Sequence, residues 1–298
     1  MRIVTYSDGT AWRAGALHGR DVYDIGRALE QTDGDDVGDT FSTLDLLRQH
    51  GGELGLVAAA VRSAVRQGLA PVCRVEDAVL SAPVPNPGKV LCIGLNYRDH
   101  VAETGRKLPE YPDVFPKFAS TLVGPNDAIG GLWATDQLDF EGELAVIVGR
   151  TASGVSADEA LDYVAGVTIL NDITARDLQY RGTQWLMGKA VDRSTPSGPA
   201  LVTLDEVGDV QQLELTTWVN GRQMQHSNTR HMIFGVARII EYISRTITLE
   251  PGDIIATGTP EGIGAKRTPP LWLCAGDEVA IEISGVGILT NVIAPASA

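Results

Sequence analysis

The chain has 298 residues, 44% of them hydrophobic and 21% charged, the mix of a globular protein rather than a disordered or fibrous one. No apolar run approaches the roughly 18–20 residues that a membrane-crossing helix needs, and the start at Met1-Arg2-Ile3-Val4 has no signal-peptide core, so a cytoplasmic location is expected. With 24 Lys plus Arg against 38 Asp plus Glu, the net charge of −14 repels nucleic acid and anionic membranes alike.

Ile3, Val4 and Tyr6, a turn at Ser7-Asp8-Gly9, the run Trp12 to Leu17, a turn at His18-Gly19 and then Val22-Tyr23 predict two or three antiparallel strands. From Phe41 onward, Leu44, Leu46 and Leu47, then Leu54, Leu56, Val57, Val61 and Val65, recur with helical spacing, broken at Gly51-Gly52. Together they predict a small α+β domain over residues 1–80. Cys73, Cys92 and Cys274 are widely spaced, with no disulfide or zinc pattern, and are expected as buried free thiols. Pro83, Pro85 and Pro87 force an extended connection, which opens a second domain over 81–298.

There, apolar runs rich in β-branched residues predict many short strands: Val90 to Ile93, Leu144 to Val148, Val167 to Leu170, Leu215 to Val219, Ile254 to Ala256, Val279 to Ile283 and Gly287 to Val292. Two helices interrupt them. Ser156 and Glu159 read as a capping box ahead of a helix over 157–164, and Met232, Ile233, Val236, Ile239, Ile240 and Ile243 make one helical stripe. Strands and helices do not alternate regularly, so the fold class is α+β, mostly β, and not a doubly wound sheet.

Five places carry side chains suited to chemistry. Asp139-Phe140-Glu141-Gly142-Glu143 runs into an apolar strand, whose period of two sets the Glu141 and Glu143 carboxylates on one face. Two anions side by side need a cation or a raised pKa, unless this is simply a solvated strand end; Asp139 has the same parity but lies further out. Asp172, after the strand that ends at Asn171, is either a helix cap or a third oxygen donor. Were the three to meet, they would suit Mg²⁺, Mn²⁺ or Ca²⁺ rather than zinc.

His100 and Glu103, three apart on a short helix, form either a general base with its orienting carboxylate or a surface pair. His226 and His231 read as a turn residue and a helix start. Lys189, after Gly188 in an apolar stretch, is costly to desolvate unless paired and so is a partner for an anion or an enolate, with a snorkelling lysine the alternative. Arg176 and Gln179 follow Asp172 toward the same place, and Lys117 is a weaker case. The loop Thr257 to Gly264 lacks the spacing of a phosphate or dinucleotide loop, but it can bring backbone N–H groups and the Thr259 hydroxyl to a carboxylate.

Taken in order, GLNYRDHVAE, FPKFASTLVGPND, DFEGELAVIVGR, ILNDITARDLQ, GKAVDRSTPSGP and LEPGDIIATGTPEGIG resemble the fumarylacetoacetate hydrolase family, in the branch of acylpyruvate hydrolases, oxaloacetate decarboxylases and hydroxyheptadienedioate isomerases. The likeness spans roughly residues 88–295. It implies a mixed β-roll C-terminal domain behind the small N-terminal one, a homodimer, and Mg²⁺ or Mn²⁺. It assigns the metal to Glu141, Glu143 and Asp172, catalysis to His100, Glu103 and Lys189, and substrate binding to Arg176, Gln179 and Thr259. The activity implied is carbon–carbon hydrolysis of a 2,4-dioxo acid, of acylpyruvate or fumarylpyruvate type, to pyruvate and a carboxylic acid. The alternatives are oxaloacetate decarboxylation or isomerisation of 2-hydroxyhepta-2,4-diene-1,7-dioate on the same site, and, from another class, a non-catalytic module that binds a metal or a carboxylate.

Overall fold

The opening alternation closes into an antiparallel meander of β1 (Arg2–Ser7), β2 (Trp12–His18) and β3 (Asp21–Asp24). The computed structural model describes residues 1–34, 38 and 41–296. Asp24 ends β3 and caps a helix that the sequence expectation lacks, α1 (Ile25–Asp33), its carboxylate accepting from the Arg27 N–H. The two predicted helices follow as α2 (Thr43–His50), capped reciprocally by Ser42 and Asp45, and α3 (Leu54–Arg66). Their stripes, Leu46 and Leu47 with Leu54, Val57 and Val61, join Ile3, Ala14 and Ala16 of the meander in one core. The short β4 (Cys73–Arg74) and β5 (Leu80–Ser81) pair with β3 and β1.

Beyond the prolines come β6 (Val90–Gly94), α4 (Arg98–Thr104), β7 (Asp113–Lys117), β8 (Leu122–Val123), β9 (Ala128–Ile129), β10 (Leu138–Asp139) and β11 (Gly142–Val148). Next are β12 (Val164–Asn171), β13 (Thr174–Ala175), the one-turn helices α5 (Arg176–Gln179) and α6 (Leu186–Lys189), and β14 (Thr195–Val202). The chain ends with α7 (Leu204–Val207), β15 (Glu214–Val219), β16 (Arg222–Asn228), α8 (Val236–Ser244), β17 (Ile254–Ala256), β18 (Glu278–Ile283) and β19 (Gly287–Ile293).

Among the described residues, twelve strands share one mixed sheet whose main path is β4-β3-β2-β1-β14-β12-β11-β17-β6-β7; β16-β15-β18-β19-β9 make a second sheet, and β10 pairs with β13 alone. Because β1 pairs with β14, with Arg2 opposite Val202 and Ile3 opposite Leu201, the large sheet runs unbroken from the first residues into the second half of the chain. β11 lies deep within it. Leu144, Val146 and Val148 enter the core shared with Leu215, Ile281 and the α8 residues Ile239, Ile240 and Ile243. Ala145 and Ile147 face the other way, into the core of α2 and α3. A strand covered on both faces reads as a continuous apolar run, as this one does, and each such side chain is worth about 1.5–3 kcal/mol when fully buried.

Three local expectations change. Ser156 Oγ does meet Glu159 Oε2 at 2.7 Å, but only a 3₁₀ turn, Ala160–Tyr163, follows, because β12 begins at Val164 and the Tyr163 carbonyl is taken by the Gly149 and Arg150 N–H groups. Met232 and Ile233 lie outside α8: Met232 bridges Tyr97, and the Ile233 N–H donates to the Asn96 carbonyl. All three cysteines are free, but only Cys92 is buried; Cys73 is half-buried and Cys274 exposed. No described helix is long and apolar enough to cross a membrane.

Candidate active site

The β11–β12 hairpin brings the acidic residues together. Its register sets Gly142 opposite Asn171, and the Asp172 N–H donates to the Glu141 carbonyl at 2.8 Å, so Glu141 and Asp172 face each other one step beyond the ladder. Glu143, two residues along, shares the Glu141 face. One oxygen from each of the three lies within 4.8 Å of the others, and all three residues are buried. Gly142 is required between them: a Cβ there would stand 2.3 Å from Thr217 Oγ1, where β15 crosses.

Cations line the same floor. Lys189 Nζ donates to Asp172 Oδ2 at 2.7 Å and to Glu141 Oε2 at 2.8 Å. It reaches them because α5 and α6 touch at Gly188, where a Cβ would meet the Gln179 nitrogen at 2.5 Å. Lys117 Nζ, fully enclosed, donates to Asp172 Oδ1 at 2.7 Å. Arg176 spans Asp139 (Nε to Oδ2, 2.8 Å), Glu141 (Nη2 to Oε1, 2.6 Å) and Gln179 (Nη1 to Oε1, 3.1 Å).

Glu143 differs from its neighbours. Among the described residues its carboxylate meets no cation and accepts only the Gly258 N–H, at 2.7 Å. Burial, then Asp172 and Glu141, push its carboxyl well above the usual range. Burial also acts to raise Glu141, but Lys189 and then Arg176 outweigh it and hold that group down. Burial acts to lower the Lys189 ammonium, and Asp172 and Glu141 reverse this, keeping it charged. Four buried carboxylates, Asp139 included, thus face three fixed cations. A hard divalent ion would supply the missing charge, and a trio of oxygen donors is the set it prefers; the residues fit such an ion.

The wall above this floor is α4. Asn96 fixes its root: Nδ2 donates to the Thr257 and Phe234 carbonyls at 2.8 and 2.9 Å, and Oδ1 accepts the Phe234 N–H at 2.8 Å. His100 Nδ1 lies 3.2 Å from Glu103 Oε1, and Glu103 Oε2 accepts the Gly262 N–H at 2.6 Å. The glycine loop after β17 therefore spends its N–H groups on the protein's own acids, Gly258 on Glu143, Gly262 on Glu103, and Gly264 and Ala265 on Asp139. The cavity so enclosed holds about 360 Å³, and all the site residues expected from the sequence line it except Glu103, which stands behind His100.

Some assignments shift in weight. The Thr259 hydroxyl is already engaged, donating to the Gly142 carbonyl at 3.0 Å and accepting from Gln225 Nε2 at 2.8 Å. Lys117, ranked low from sequence, sits on Asp172, and Asp139 anchors Arg176. His226 is an exposed residue of β16 rather than a turn residue, and His231 closes a 3₁₀ turn; neither lines the cavity. Arg106, Lys266, Trp185 and Trp272 also line it, without any local sequence signal.

Fold and site together define a class: the chain belongs to the fumarylacetoacetate hydrolase family, whose pattern, described as fumarylacetoacetate (FAA) hydrolase C-terminal, matches residues 89–294. The mostly β α+β architecture is that of the family's solved members. Among curated relatives, the chain is 45% identical over 223 residues to oxaloacetate tautomerase YisK of Bacillus subtilis, covering 74% of each chain. It is 44% identical over 239 residues to the mitochondrial oxaloacetate tautomerase FAHD2A of Bos taurus, covering 78% of this chain and 76% of that one. The crystal structure of maleylpyruvate hydrolase from Sphingobium sp. SYK-6, in complex with manganese(II) and pyruvate, is 30% identical, covers all of both chains, and superposes with a TM-score of 0.78.

Proposed function

We propose that this chain is a divalent-metal-dependent enzyme that enolises a 2-oxo acid, its reaction being the keto–enol tautomerisation of oxaloacetate. The observation that carries the reading is a single cavity with the His100–Glu103 pair on its wall and Glu141, Glu143, Asp172 and Lys189 on its floor. Two relatives near 45% identity over three-quarters of the chain bear the name oxaloacetate tautomerase, which favours this reaction over carbon–carbon hydrolysis.

Glu141, Glu143 and Asp172 would hold magnesium or manganese, which when bound would polarise the 2-oxo group and draw negative charge toward its oxygen. With Glu103 accepting from Nδ1–H, His100 keeps the Nε2 lone pair as the base for the C3 proton. The C3–H electron pair becomes the C2–C3 double bond, and the C2 oxygen takes up the charge and then a proton from water. Lys189, held cationic by two carboxylates, faces that charge as it develops. Arg176, held by Asp139, Glu141 and Gln179, adds a fixed positive charge to the cavity wall that the substrate's carboxylate meets.

The test follows oxaloacetate enol absorbance with magnesium or manganese. Acceleration that a chelator abolishes is expected. His100→Asn is expected to lower kcat by about 10²–10⁴-fold while leaving manganese affinity in place. Inactivity on oxaloacetate with cleavage of acylpyruvates would replace tautomerisation by hydrolysis, a reading that the maleylpyruvate hydrolase likeness favours. Inactivity on both, with ligand still bound, would leave a binding module.

A further inference from the structure

In a chain of net charge −14, two cations at the cavity have no acidic partner. Arg106 and Lys266 are both exposed and both line the cavity, and among the described residues neither makes an ion pair. The Arg106 guanidinium lies beside a ring instead: its Cζ is 5.5 Å from the centroid of Trp185. That ring packs edge-on against Phe115, centroids 5.5 Å apart, and Lys189 Nζ sits 5.2 Å from the Phe115 centroid. Two aromatic rings therefore connect the paired ammonium of the floor with a free guanidinium at the mouth.

Both cations hang on elements that the site itself fixes. Arg106 follows α4, directly after its C-cap Gly105, on the helix that carries His100 and Glu103. Lys266 ends the turn Gly264–Lys266, whose first two N–H groups donate to Asp139. The floor is overloaded with carboxylates, and the mouth carries the opposite sign.

We infer that Arg106 and Lys266 form the subsite for a second, distal carboxylate, so that the site selects dicarboxylic 2-oxo acids and has room for chains longer than four carbons. The inference rests on the 2-oxo acid reading above and adds to it the residues that read the far end. The cation–π contact with Trp185 holds the Arg106 guanidinium beside the cavity, and no acid among the described residues occupies its N–H fork. Arg106, Lys266 and the acids of the floor line one and the same cavity of about 360 Å³.

Calorimetric titration with magnesium present separates a subsite from a general attraction for anions. The probes are oxalate, a dianion short enough to stay on the floor, and 2-oxoadipate, a dianion whose second carboxylate extends outward. In Arg106→Gln/Lys266→Gln, 2-oxoadipate is expected to bind about tenfold more weakly and oxalate to change by less than about twofold. Arg106→Lys, which keeps the charge but not the fork, is expected to lie between. Equal weakening of both probes, or none for 2-oxoadipate, overturns the subsite alone. Binding of neither probe by the parent protein overturns the underlying 2-oxo acid reading as well. Both substitutions are at exposed positions, and an unchanged melting temperature confirms the fold.

Discussion

Asp24 and Glu143 are both buried carboxylates, each 2% exposed, in opposite surroundings. Asp24 accepts from the Tyr6 hydroxyl at 2.5 Å, from Arg13 Nε at 2.6 Å and from the Arg27 N–H at 2.8 Å. Burial acts to raise its carboxyl, but Arg13, Tyr6 and Arg27 together hold it below the ordinary range. Arg13 answers the buried anion directly, and the exposed Asp8 lies 4.0 Å from the same Nε. Around Glu143 the acids outnumber the fixed cations, and a cavity opens beside them. A balanced buried pair holds two elements together, here β2 and the start of α1; a buried surplus of one sign, open to a ligand, stores a demand that a bound cation meets.

The largest expected effect breaks this contrast on the functional side. Glu143→Gln is expected to lower oxaloacetate turnover by about 10²–10³-fold and, in the presence of a chelator, to raise the melting temperature, because an acid whose ionisation burial, Asp172 and Glu141 all oppose is replaced by a neutral amide. A lower melting temperature in the chelated variant would show that Glu143 is balanced after all.

On the structural side, Asp24→Ala leaves Arg13 buried without its partner and is expected to cost about 3–5 kcal/mol in urea denaturation. Turnover per folded molecule should stay within about twofold of the parent, since none of the cluster lines the cavity. A turnover loss matching the stability loss would contradict the separation of the two clusters.

The smallest effect sharpens the contrast through acid. A carboxyl held below its unfolded value contributes stability that is fully present above that value and lost as pH falls through the folded one. The stability of the parent should therefore drop with acidification below the ordinary aspartate range, and in Asp24→Asn that part of the slope should be missing. Denaturant midpoints measured across the acid range check it.

Much of this was legible because its signals are local. The parity of Glu141 and Glu143, the acid that closes the partner strand at Asp172, and a lysine behind Gly188 in an apolar stretch all mark the floor before any contact is known. The β-branched runs likewise predict β6, β11, β12 and β17 of the large sheet and β15, β18 and β19 of the second, but not β7, β14 or β16. Lys117 could not be weighed the same way: it reaches Asp172 only because β7 pairs with β6, with Lys117 opposite Val90, and β6 pairs with β17, which in turn pairs with β11. Arg106 and Lys266 are ordinary exposed cations in sequence, and only the cavity relates them. The Ser156–Glu159 pair shows the reverse error, a sound local cap overruled by strand pairing that the pattern of neighbouring residues does not announce. α1 shows an omission: Asp24 ahead of Ile25, Ala28 and Leu29 carried the signal of a cap and a stripe.

The pairing of β1 with β14 bears on how this protein can be handled. A fragment starting after the prolines would retain every residue that lines the cavity. It would also leave Leu201 and Val202 as a raw sheet margin, with backbone groups seeking a new neighbour and the apolar flank once covered by α2 and α3 laid bare. Such a margin recruits other polypeptides, so the first seven residues serve as a stopper against clumping, although they lie far from the chemistry.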